Sequence, residues 1–129
     1  MTADQATPMA GIRPTVVEVC IDCADDERLC SFWATALAYE PVRHGAGWRK
    51  LQDPAGRGPS VWFQRVPEPK TVKNRLHFDV YFADEAAATA KRDELTALGG
   101  RALQRYFDFW LMQDPEGNEL CLCWPATRD

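Results

Sequence analysis

No run in the chain approaches the roughly 20 consecutive apolar residues that a membrane-spanning helix needs. A basic excess is missing too. Fifteen Lys and Arg stand against 19 Asp and Glu, so the net charge is −4, the opposite of a nucleic-acid binder's footprint. The N-terminus has neither a basic start nor an apolar stretch, which excludes a secretory signal there; residues 1–13 read as a flexible leader. The five cysteines are an odd number and fit reduced thiols in a cytoplasm better than a disulfide framework. What the chain does have is an apolar fraction of 46 %, enough for a core, and 129 residues, the length of one domain.

The most informative feature is a repeat. Asp53-Pro54-Ala55-Gly56 returns as Asp114-Pro115-Glu116-Gly117. Upstream of each, a strand-like run ends in Ala-Asp and opens a helix, at Ala24-Asp25 and again at Ala83-Asp84. The helix starts are 59 residues apart and the Asp-Pro turns 61 apart. A duplication of this size predicts two equivalent modules, and paired modules can enclose a cleft for a small molecule.

Each module reads as strand, helix and three strands. In the first, residues 16–23 alternate and are β-branched, so they form a strand. Asp25 caps a helix, with Asp26 and Glu27 in the first turn, where the helix dipole favours acids. Leu29, Phe32, Trp33, Ala36 and Leu37 recur at helical spacing, and the helix ends near Tyr39, before Pro41. Strands follow at 42–44, 48–52 and 60–66, with the Asp53 turn before the last. Pro67 and Pro69 stiffen a connector over 67–74. In the second module the strand at 75–82 leads to Asp84, the cap of a helix over 85–98 that Gly99-Gly100 stops. Strands at 101–105, 109–113 and 119–124 follow. The domain spans 14–125, as module one (14–66) and module two (75–125), with a tail over 126–129.

The runs Asp25 to Tyr39, Val66 to His77 and Asp114-Pro115-Glu116-Gly117-Asn118-Glu119 carry a resemblance. A duplicated βαβββ unit with these runs resembles the vicinal oxygen chelate superfamily, which includes glyoxalase I, extradiol dioxygenases and bleomycin-resistance proteins. The Val66–His77 run is similar to glyoxalase-like domain proteins in particular. The resemblance covers about residues 14–125 and implies an α+β fold: a cupped, eight-stranded mixed sheet with a helix backing each half. Alternation agrees. Val17, Val19 and Ile21 share one face of their strand, as do Phe78, Val80 and Phe82, while Glu18, Cys20, Asp22 and His77, Asp79, Tyr81 lie opposite.

Superfamily enzymes place four metal ligands in the cup, one from the first and one from the last strand of each module. The resemblance puts these at Glu18, Gln64, His77 and Cys121. Only His77 has the usual residue type at its own place. Glu18 and Gln64 carry oxygen donors at exchanged positions, and Cys121 substitutes a thiol for a carboxylate. A carboxylate, an imidazole and a thiolate are all competent zinc ligands, and nickel, iron or manganese suit mixed oxygen and nitrogen sites. Without a metal, His77 and Glu18 form an acid–base pair or a structural hydrogen bond.

Cys20-Ile21-Asp22-Cys23 has CxxC spacing, but on a strand residues three apart face opposite ways, so a zinc knuckle is not expected. Among the tryptophans, Trp33 and Trp124 are expected in the core and Trp62 in the cup beside Gln64. Trp48 and Trp110 serve either as cup wall or as ordinary sheet packing. With Asp79 and Tyr81, these aromatics are the ligand-binding candidates. Lys70, Lys73 and Arg75 form a basic cluster in the connector, an anion site or a solvated loop. Asp53 and Asp114 are expected to serve turns by bonding their own backbone.

Three functions follow. One is a binder that holds a small organic ligand in an aromatic cup. Another is a metal- or His/Glu-assisted lyase, isomerase or dioxygenase acting on a carbonyl or catechol-like substrate. The third is a degenerate module for protein contact. The resemblance also implies a homodimer, since pairing would hide strand edges.

Overall fold

The computed structural model describes residues 11–125, so most of the expected leader and the tail lie outside the described residues. Ten elements run in chain order: β1 Val19–Cys23, α1 Asp26–Leu37, β2 Glu40–Gly45, β3 Trp48–Gln52, β4 Val61–Arg65, β5 Phe78–Tyr81, α2 Glu85–Ala97, β6 Arg101–Arg105, β7 Phe109–Gln113 and β8 Glu119–Cys123. The fold is α+β, two βαβββ modules in tandem. The eight strands divide into two four-stranded mixed sheets, β1-β4-β3-β2 and β5-β8-β7-β6. In each, the first and last strands of the module pair in parallel and the other pairs are antiparallel.

The duplication extends to details of the backbone. Asp25 accepts from the Arg28 N–H at 3.1 Å and Asp84 from the Ala87 N–H at 2.9 Å, so both helices start on an aspartate cap. Both Asp-Pro turns close with the glycine N–H bonded to the aspartate carbonyl at 2.9 Å. Each outer strand carries one irregularity at the same place, between Pro41 and Arg43 in β2 and between Ala102 and Gln104 in β6. The unpaired residues, Val42 and Leu103, are 61 positions apart, like the turns.

The helices end differently. α2 stops at Gly99 in the left-handed region, as expected. At the end of α1 that conformation falls on Ala38 (φ 56°), whose N–H bonds back to Ala34. A Cβ disfavours it by roughly 1 kcal/mol.

The hydrophobic faces of both sheets and both helices share one core. Leu29, Phe32 and Trp33 of α1 meet Leu51, Val61 and Phe63 of the first sheet, and Leu95, Met112, Leu120 and Leu122 complete the cluster. The modules are therefore joined back to back, through their helix-bearing faces. Trp33 lies at the centre, tilted on Phe78 with ring centroids 5.0 Å apart. At Gly100 an added Cβ would stand 2.6 Å from the Phe32 ring and 2.9 Å from the Leu95 carbonyl, so only glycine admits this approach.

The Asp114 turn seals the junction. Its buried carboxylate accepts from Trp33 Nε1 at 2.9 Å, from the Glu116 and Asn118 N–H groups at 2.8 and 2.9 Å, and from Asn118 Nδ2 at 2.8 Å. Glu116 caps the other module, accepting from the Ala24 and Asp25 N–H groups. Asp53, the counterpart of Asp114, accepts among the described residues only from Ala55, Arg57 and Gly58 in its own loop. Both aspartates serve turns as expected, and Asp114 also ties the modules together.

Candidate functional site

Because the helix-bearing faces meet in one core, the polar faces of the two sheets lie on the outside, as two half-cups. Ladder partners share a face. In module one this groups Cys20 with Trp62, Asp22 with Gln64, Trp48 with Gln64 and Lys50 with Trp62. In module two it groups Asp79 with Cys121, Tyr81 with Cys123 and Leu111 with Cys121.

The first half-cup is aromatic and internally neutralised. Trp48 and Trp62 stand 5.3 Å apart at 43°, forming two walls. Glu18 accepts from Trp62 Nε1 at 2.5 Å and pairs with Lys50 Nζ at 3.1 Å. The Trp62 N–H first, and then Lys50, hold the Glu18 carboxyl below the usual carboxylate range. Lys50 also lies over the Trp62 ring, 4.9 Å from its centroid. A groove of about 910 Å³ opens here, lined by Cys20, Trp48, Trp62, Gln64 and the 65–67 segment among others. Arg65, which also lines the groove, and Arg49 hold the buried Asp26 carboxylate, each at 3.1 Å.

The second half-cup carries His77, Asp79 and Cys121, whose ligand-type atoms all lie within 4.8 Å of one another. His77 Nε2 is 3.2 Å from Asp79 Oδ1. Burial first, and then the Asp79 carboxylate, push the Cys121 thiol up to about 12.

The expected site residues therefore separate. Trp62, Gln64 and Trp48 lie together in the first half-cup with Glu18; His77, Asp79, Tyr81 and Cys121 lie in the second. The acid–base pair expected between His77 and Glu18 is not made: His77 pairs with Asp79, and Glu18 with Lys50 and Trp62. Trp110 is not a cup residue. It is the ladder partner of Leu122 on the helix face, bonds Thr89 Oγ1 at 3.2 Å and lies under Arg92 of α2. Cys20 is exposed and Cys23 buried, on opposite faces of β1, as the strand reading requires.

Register also corrects one ligand position. The pair Cys20 and Trp62 recurs 59 residues later as Asp79 and Cys121. The counterpart of Cys121 is thus Trp62, and Gln64 matches Cys123. The offset falls from 61 at the turns to 59 at the last strands because module one has two more residues between them. The superfamily's four metal positions then hold Glu18, Trp62, His77 and Cys121. An indole donates no lone pair to a metal, and Lys50 already occupies Glu18. The residues present do not fit the four-ligand metal set expected from the resemblance.

Lys50 was missed in the sequence, and Asp79 was named as a ligand-binding candidate without its pairing to His77. The signal for Lys50 was present: it is two residues from Trp48 on one strand and therefore on its face.

Among solved structures, the chain is similar to a glyoxalase-related enzyme from Fulvimarina pelagi, at 16% identity over 87% of this chain and 89% of that one, with a TM-score of 0.70. It is similar to a fosfomycin resistance protein from Mesorhizobium loti at 11% identity, covering 90% and 92%, with a TM-score of 0.69. A glyoxalase/bleomycin resistance protein from Albidiferax ferrireducens T118 shows 17% identity, coverage of 88% and 100%, and a TM-score of 0.66. At such identities the likeness is one of fold. No curated protein matches the chain. The family model for the glyoxalase-like domain matches residues 18–123, from the first strand of module one to the last of module two. The chain therefore belongs to the glyoxalase-like domain family, within the vicinal oxygen chelate superfamily.

Proposed function

We propose that this glyoxalase-like protein binds a small, flat organic ligand in the first half-cup. The observation that carries the reading is the pair of indole walls, Trp48 and Trp62, along a groove of about 910 Å³, a size suited to one small molecule. The floor is electrically balanced, since Glu18 and Lys50 cancel, so an uncharged or weakly polar ring system meets no unpaired charge there. The Gln64 amide, on the same face, supplies a donor and an acceptor to orient the ligand. A fosfomycin resistance protein among the structural neighbours shows that this fold serves resistance to a small molecule in another protein.

The protein is also proposed to work as a homodimer. Val16, Val17 and Leu76 are exposed on the segments leading into β1 and β5, the end strands of the two sheets. A second copy placed there would cover them and adjoin the half-cups. Among the described residues no helix is long and apolar enough to cross a membrane.

A panel of aromatic and quinone-like compounds, titrated against tryptophan fluorescence, tests the binding reading. The expected result is saturable quenching that Trp62→Leu and Trp48→Leu each abolish while circular dichroism stays unchanged. Quenching that survives both substitutions would place the ligand elsewhere. Sedimentation velocity tests the dimer, which Leu76→Asp is expected to dissociate.

A further inference from the structure

We infer that the ligand of the first half-cup is an aromatic acid, which rests on the binding role proposed above for that groove: the ring lies along Trp48 and Trp62, and the carboxylate is received by Arg43. Arg43, Arg49, Lys50 and Arg65 are the arginines and lysines of β2, β3 and β4. Lys50 is taken by Glu18, and Arg49 and Arg65 by Asp26. Among the described residues, Arg43 alone of these has no carboxylate partner. Its place in the sheet brings it to the groove. Arg43 is the ladder partner of Lys50, which is also the partner of Trp62, so all three share the polar face. Its guanidinium carbon stands 5.8 Å from the centre of the Trp48 ring, near the outer limit of about 6 Å for a cation–π contact. Held this loosely, its planar N–H fork can turn to a carboxylate, which it matches in bidentate geometry.

The Trp48 indole is set beside Arg43 by a missing side chain. Gly45 is the ladder partner of Trp48, and a Cβ there would stand 2.5 Å from Trp48 Cε2 and 2.8 Å from Cζ2. The ring leans on Gly45, two residues from Arg43 on the same strand face. Trp48 Nε1 meets no acceptor among the described residues, whereas Trp33, Trp62 and Trp110 each donate to one. Arg43 and this N–H donate and do not accept, so a carboxylate satisfies both and a cationic group neither. The acids of the face set the direction. Glu18 is bound to Lys50 and Trp62. Asp22 is the partner of Gln64 on β1, with β4 and β3 between it and β2, roughly 14 Å at the spacing of neighbouring strands. Glu40, on β2 opposite Gln52, lies further along the strand from Trp48 than Arg43 does. An anionic group is thus repelled at the β1 side and received at the β2 side, while the ring crosses the neutral floor between them.

The test titrates the full chain with 2-naphthoate and with 2-naphthamide, which share a ring system and differ in charge, by isothermal calorimetry. The unaltered protein is expected to bind the acid about tenfold or more tightly than the amide, the scale of one charge-assisted hydrogen bond. Raising the salt from about 50 mM to about 500 mM should narrow that gap by screening the exposed Arg43. Arg43→Gln should weaken the acid about tenfold and leave the amide within about twofold. Arg101→Gln makes the same change of charge on β6, in the other module, and should leave both compounds within about twofold. Equal affinity of the unaltered protein for acid and amide would overturn the inference and leave the groove as a site for uncharged rings. So would a preference for the acid that survives Arg43→Gln, or one that Arg101→Gln removes to the same extent. If neither compound binds, the groove is not an aromatic ligand site, and the acid is excluded with it.

Discussion

The Asp114 and Asp53 turns share an Asp-Pro-x-Gly sequence and the same backbone closure, but only Asp114 reaches across the module junction, so the pair contains its own control. Asp114→Ala strands the Nε1–H of Trp33, which is 1% exposed, and two turn N–H groups. A buried donor left without a partner costs about 1–3 kcal/mol, and the half-buried turn donors add less, for a total of about 3–5 kcal/mol. Asp53→Ala frees three N–H groups that water reaches, a loss of about 0.5–1.5 kcal/mol. Guanidinium unfolding followed by far-ultraviolet circular dichroism measures both. A cycle with Trp33→Phe isolates the cross-module bond, because phenylalanine removes the donor along with its need for a partner. The expected coupling is about 1–2 kcal/mol. Equal losses for Asp114→Ala and Asp53→Ala, or strict additivity with Trp33→Phe, would refute the idea that this turn holds the modules together.

Other consequences are open to direct measurement. Burial, the largest cause, with help from nearby carboxylates, raises the Cys23 and Cys121 thiols to about 12 and Cys123 to about 11, against an ordinary value of 9.0. Folded-state values above the unfolded one mean stability that is complete below pH 9 and lost as pH rises through 11–12. At pH 10 the three thiols together should cost about 2–4 kcal/mol, and chemical denaturation giving equal stability at pH 8 and pH 10 would contradict this. Ala38→Gly should stabilise the protein by about 0.5–1 kcal/mol, because glycine adopts the left-handed cap without penalty; an unchanged or lower melting temperature would count against it. Gly100→Ala should destabilise by about 1–3 kcal/mol through its clash with Phe32 and the Leu95 carbonyl, read from the same melts.

Much of the architecture was legible in the sequence because two independent periodicities agreed. The repeat fixed the module, and alternation along β1 and β5 fixed which face turned to the helices. The aspartate caps, the Gly99 stop and both turns are local chemistry and fell where the residues indicated. The site was less legible, since it depends on which residues meet across a ladder. Two extra residues before β4 shift its register against the repeat, and that shift puts Trp62 rather than Gln64 opposite the place of Cys121. Trp110 was ambiguous for another reason. Phe109, Trp110, Leu111 and Met112 are all apolar, so β7 has no polar phase to show which of them face α2; pairing with Leu122 decides it. The His77 partner was hidden because the helix-bearing faces of the modules meet each other. That leaves the two polar faces turned outward, where Glu18 finds Lys50 and His77 finds Asp79.

The twin irregularities at Val42 and Leu103 bear on how such a chain can associate. A sheet edge with an even row of N–H and C=O groups invites another strand, and then another, without limit. A bulge twists that edge and breaks the row. Here both outer strands, β2 and β6, carry the break at equivalent positions, and Pro41 removes a donor from β2 as well. Each sheet is thereby blunted on one side and regular on the other, at β1 and β5. The edges left for pairing are therefore the β1 and β5 sides alone. The duplication thus repeats a terminator along with the fold, one on the outer strand of each sheet.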